Sequence, residues 1–220
     1  MSAALLAGCS APATPPPALV LADAERFASL FEAQGGRPDA AALRAGYLDP
    51  GSPGVKLFMP YRIESADNLA GAVARHGDDY RWAIEQCLPA ALAMAADVDQ
   101  DIERIGRWLG RRDVAPAYVL FGAGNSGGTA GPDGLALGLE VVCRGVATTA
   151  QAKARLRGFV LHEMTHVHQE RVQTAPSRDT LLRQILVEGF ADFVMEKATG
   201  GRERADVTRE RHGAAHEASL

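Results

Sequence analysis

His162 and His166 stand four residues apart inside an unbroken helical pattern from about Gln151 to Val172, and no other feature constrains the chain as tightly. That spacing puts both imidazoles on one face of a helix, one turn apart, within reach of a single ion. Glu163 lies about 100° around the axis from His162, beside such an ion without binding it, where it can hold a water as a general base. Leu156, Phe159, Val160 and Val167 line the neighbouring face, so the helix is expected to be anchored in a core and its histidines held rigidly. In a chain with six histidines the pattern HExxH arises by chance on the order of a percent of the time.

The next helical pattern starts near Asp179, and on it Glu188 and Asp192 share a stripe with Leu181, Ile185 and Met195. Carboxylates on an apolar face need a counter-charge, because burying one alone costs several kcal/mol. An ion pair with Arg183 or Lys197 is the competing explanation, but neither shares the face at good spacing. The intervening turn, Gln173 to Arg178, is short and contains Pro176, which makes the two helices antiparallel neighbours and turns Glu188 toward His162 and His166. Two histidines, one glutamate and a water suit a catalytic zinc ion, which keeps one position open. Asp192, one turn beyond Glu188, is placed to accept the outer N–H of a ligating imidazole.

HEMTH followed by EGFAD resembles the gluzincin pattern, HExxH with a downstream ExxxD whose glutamate is the third metal ligand. The segments NSGGTAGPDGLALGLE, LHEMTHVHQE and VEGFADF, in that order, are similar to a bacterial family of zinc-dependent proteases known mainly as a domain of unknown function. The similarity runs from about Arg26 onward. It implies a zinc peptidase, commonly exported, acting on peptide or protein substrates, with Zn2+ on His162, His166 and Glu188 and with Glu163 as the base. Members of that family continue past the second metal helix, so the resemblance also implies a domain that extends C-terminally beyond Leu220.

The remaining sequence frames this centre. Nearly half of the 220 residues are apolar and the net charge is -4, which fits one globular domain over residues 19–220. No Lys/Arg cluster with interleaved aromatics is present, which argues against nucleic acid as the partner. Residues 1–18 carry a short apolar run ending in Leu6-Ala7-Gly8-Cys9, then a Pro-rich stretch. That resembles a bacterial lipoprotein leader, with Cys9 the lipidated residue, a Pro-rich tether behind it and the domain held at the periplasmic face of a membrane. An Ala/Pro tail with a chance cysteine is the plainer reading. Cys87 and Cys143 then either pair, as an oxidising compartment allows, or stand as unrelated buried thiols.

Asp23 is expected to cap a first helix bearing Phe27, Leu30 and Phe31, and Ser65 a second bearing Leu69 and Val73. A long helical pattern from about Asp79 to Gly110 is expected to break near Pro89 and to bury Ala91, Ala95, Val98, Ile102, Ile105 and Leu109. Asp97, Asp99, Asp101 and Glu103 read as its solvated face. Tyr118 to Phe121 and Leu135 to Val142 read as paired strands, the second an edge on which an extended peptide could add. Between them, the Gly-rich run from Gly122 to Thr129 lacks the lysine and the following helix of a phosphate loop. His168 points away from His166, and His212 and His216 lie in a charged, exposed pattern. The fold class is therefore α+β, mainly helical, with a zincin-like metal helix and its successor beside a small sheet. Two other functions compete: a deformylase-like hydrolase taking Cys143 as third ligand, and a surface lipoprotein that keeps the fold without turnover.

Overall fold

In the computed structural model, which describes residues 18–111, 115–131, 134–169 and 180–199, the chain is α+β and mainly helical, with one small sheet. The elements run β1 (Leu19–Val20), α1 (Ala22–Ala33), α2 (Ala40–Leu43), α3 (Pro53–Phe58), α4 (Ala66–Arg75), α5 (Gly77–Trp82), α6 (Leu88–Trp108) and β2 (Ala117–Leu120). There follow β3 (Gly128–Gly131), β4 (Gly134–Gly138), α7 (Leu139–Val142), α8 (Thr149–Gln169) and α9 (Thr180–Thr199). Cys9, the turn from Gln173 to Arg178, His212 and His216 lie outside the described residues. No described helix is long and apolar enough to cross a membrane.

Ser65 caps α4 by accepting the Asn68 N–H at 3.0 Å, and Leu69 and Val73 are buried, as their spacing requires. Asp23 does not cap α1. It lies buried in the first turn, where its carboxylate accepts from Arg26 and from the Ser52 hydroxyl. Ser52 in turn accepts the Gly54 N–H at 3.0 Å and caps α3, so Asp23 ties two helix starts together rather than closing one. The long pattern breaks where proline demands it: the turn Ala83–Cys87 widens to a π-helix just ahead of Pro89, and α6 then buries Ala91, Val98, Ile102 and Ile105.

The sheet has the order β1-β2-β4-β3, with β1, β2 and β4 parallel and β3 antiparallel to β4. The stretch from Leu135 to Val142 is therefore neither one strand nor an edge. β4 ends at Gly138 and lies between β2 and β3, with all five of its residues buried, while Leu139–Val142 turns into α7. Four residues of alternating size do not distinguish a strand end from a helical turn by period. Glu140 makes the difference, because its buried carboxylate accepts the N–H groups of Gly122 and Gly124 at 3.0 and 3.1 Å. That pull bends the chain out of the sheet. The Gly-rich run itself supplies β3, and no helix follows it.

A disulfide joins Cys87, at the head of α6, to Cys143, at the end of α7. Closing a loop over a sequence separation of 56 contributes about 4 kcal/mol in the chain-entropy account. In the core, Phe27 stacks on Phe121 at 4.5 Å, and the Tyr47 and Tyr80 hydroxyls donate to the Phe121 and Gly122 carbonyls at 2.7 Å each.

Desolvation pushes the Glu140 carboxyl from its ordinary 4.5 up to about 7, against the lowering effect of the loop N–H groups and Arg144. A raised value means that the folded protein disfavours the ionised form. Its favourable contribution is complete below pH about 4.5 and is lost as the pH climbs to about 7, a change on the order of 3 kcal/mol. Urea midpoints measured at pH 5 and pH 8 should show this loss in the wild type, and Glu140→Gln should lack that part of the pH dependence.

Candidate metal centre

α8 packs against α6 and α9, which also touch each other, and against β3 and β4. Asp101 of α6 fixes it there. This carboxylate is 2 % exposed and accepts from Arg157 of α8 at 2.6–2.7 Å and from Arg104 at 2.8 Å, and Arg104 also donates to the Ala198 carbonyl of α9 at 3.0 Å. Asp101 is thus not part of a solvated face but a charge bound by two guanidinium groups. On the helix wheel it falls beside Met94, at the margin of the buried stripe, which is the signal that a run of alternating acids obscured.

Across α8, about 140° around from Arg157, His162 is fully buried. Its Nδ1 faces Asp192 Oδ1 at 2.8 Å and its Nε2 lies 3.2 Å from Glu188 Oε2. The Nε2 of His166 lies 3.0 Å from that of His162 and 3.5 Å from the same Glu188 oxygen. Contacts between α8 and α9 step in opposite directions, 162 with 192, 166 with 188 and 169 with 187, so the helices are antiparallel. Three donor atoms therefore form a triangle with sides of 3.0, 3.2 and 3.5 Å. Ligands about 2.0–2.1 Å from a tetrahedral zinc stand about 3.3 Å apart, so this donor set fits a metal ion in both chemistry and spacing. Each Nδ1 faces an acceptor oxygen, Asp192 for His162 and Gln169 Oε1 at 2.8 Å for His166, so in the neutral rings both Nε2 atoms carry lone pairs. Two lone pairs and a carboxylate oxygen that converge form a donor set that a cation could hold together.

Glu163 is half-buried on α8, one residue round from His162. His162, His166, Glu188 and Asp192 are brought together as their spacing implies. Burial is not what holds the two carboxylates: the side chains of Glu188 and Asp192 are 44 % and 47 % exposed, and of their expected stripe only Met195 is buried. Leu181 and Ile185 face solvent, as do Leu182, Leu186 and Phe193, so apolar residues run around α9 rather than along one face. Lys197 sits over the Phe193 ring at 5.7 Å. Cys143, bonded to Cys87, has no thiolate to offer and stands outside the donor triangle, which removes the deformylase-like arrangement. His168 is half-buried, its pKa lowered by desolvation and by Arg111, and its Nε2 has no hydrogen-bond partner among the described residues. Residue type alone does not mark Gln169, although its position three beyond His166 puts it within reach of that ring.

No family model, curated protein or solved structure matches the chain.

Proposed function

We propose that the chain is a zinc-dependent peptidase related to the gluzincins. The convergence of His162 Nε2, His166 Nε2 and Glu188 Oε2 within 3.5 Å of one another carries this reading, with Glu163 on the adjoining position of the same helix. His162, His166 and Glu188 would hold the ion. When bound, zinc lowers the pKa of a water to about 7 and polarises a carbonyl. Glu163 takes the proton of the attacking water and delivers it to the leaving amine as the peptide bond breaks, so one carboxylate serves as base and then as acid. Asp192 keeps the His162 ring oriented through its Nδ1–H.

An extended peptide substrate would add at β3 rather than at β4. β3 is the outer strand, and the Phe159 ring, one turn before His162, lies against Gly127 and Gly128. The Gly138 N–H bonds to the Gly127 carbonyl, so by antiparallel alternation Thr129 and Gly131 face β4, while Gly128 and Ala130 point their backbone groups outward. Main-chain pairing there favours cleavage within a chain. Export, with Cys9 as a lipid anchor at the periplasmic face, is supported by the Cys87–Cys143 bond, which persists in oxidising compartments.

Glu163→Gln should retain bound zinc and lower kcat on a quenched peptide library by roughly 10²–10⁴-fold. Unchanged turnover would remove Glu163 from the mechanism, and a wild type that cleaves nothing would favour the non-catalytic lipoprotein. Ala130→Pro, which deletes one outward N–H and spares the hairpin's own bonds, should raise KM about tenfold with little change in kcat. An unchanged KM would exclude pairing at β3.

A further inference from the structure

Gln169 is engaged at both ends of its amide. Its Oε1 lies 2.8 Å from His166 Nδ1, and its Nε2 lies 3.1 Å from the carbonyl oxygen of Val187. A backbone carbonyl only accepts, so the amide nitrogen must be the atom that faces Val187. The amide oxygen then faces His166 and it too only accepts, so the Nδ1 of His166 must carry the proton. Neither an amide flip nor the other imidazole tautomer satisfies both contacts. The lone pair of the neutral ring is thereby assigned to Nε2, the atom that lies 3.0 Å from His162 Nε2 and 3.5 Å from Glu188 Oε2.

Val187 is the residue before Glu188. A single side chain at the end of α8 thus sets the direction of the second imidazole and grips the α9 backbone next to the third donor. We propose that Gln169 is a positioning residue of the metal centre, a clip that orders His166 and Glu188 together; the proposal rests on the metal reading of those residues. Its role differs from that of Asp192, which meets His162 with a carboxylate and so adds charge as well as direction. Gln169 is neutral and contributes direction alone. Glutamate in its place would still accept from His166 but would turn a second oxygen toward the Val187 carbonyl, so only an amide performs both tasks.

A residue that merely straps α8 to α9 would change stability without changing which nitrogen of His166 is protonated. Two readouts on the full chain separate these roles: zinc Kd by competition with a chromogenic chelator, and the His166 tautomer in metal-free protein from long-range proton–nitrogen correlations. The wild type should show the Nδ1–H tautomer. Gln169→Ala should lose it and bind zinc roughly 10–100-fold more weakly. Gln169→Glu should restore the tautomer and recover part of the affinity. A zinc Kd for Gln169→Ala within about threefold of wild type, or an Nε2–H tautomer in the wild type, would overturn the proposal. Should the wild type bind no zinc, the metal reading falls and the clip's metal role with it, while the tautomer still reports whether Gln169 orders His166.

Discussion

A carboxylate shielded from water, Asp101, holds the arrangement on which everything else is built. It accepts from Arg104 on its own helix and from Arg157 on α8, and Arg104 continues to the backbone of α9. Asp101 is buried while the Arg104 and Arg157 side chains stay 39 % and 30 % exposed, so it is the carboxylate that needs both partners, and meeting that need ties the three helices together. Arg157 and His162 point to different sides of α8. The face pinned by Asp101 therefore fixes the rotation of the helix, and with it the direction in which the imidazoles look.

On the imidazole side the same logic recurs at shorter range. Each Nδ1 has its own acceptor, a carboxylate at His162 and an amide at His166, and both acceptors belong to the α8–α9 contact. Orientation thus passes from helix packing to side chains to the two Nε2 atoms. Preorganisation of this kind would let a donor set bind an ion without rearranging, and half-exposed Glu188 would leave an ion held there open to water on one side.

What could be read from the residues depended on range. Helical periodicity is local, so the HExxH helix, its successor, the Ser65 cap and the break before Pro89 were legible. The pairing of His162 with Glu188 and Asp192 followed from the expectation that the two helices are antiparallel neighbours. Asp101 and Glu140 were not legible, because their partners are Arg157, 56 residues away, and the amides of Gly122 and Gly124, up to 18 away. For the same reason β4 read as an edge: its neighbours β2 and β3 are set by tertiary contacts that alternation does not encode. The expected burial of Glu188 and Asp192 failed because α9 carries apolar residues around its circumference, which gives a wheel no face to choose.

Metal content tests the central claim most directly. Protein purified without added metal, then incubated with zinc and desalted, should carry about one zinc ion per chain by elemental mass spectrometry, and Glu188→Ala should carry far less. Zinc at background level in the wild type after that incubation would contradict a metal centre at His162, His166 and Glu188, and the peptidase reading would fall with it.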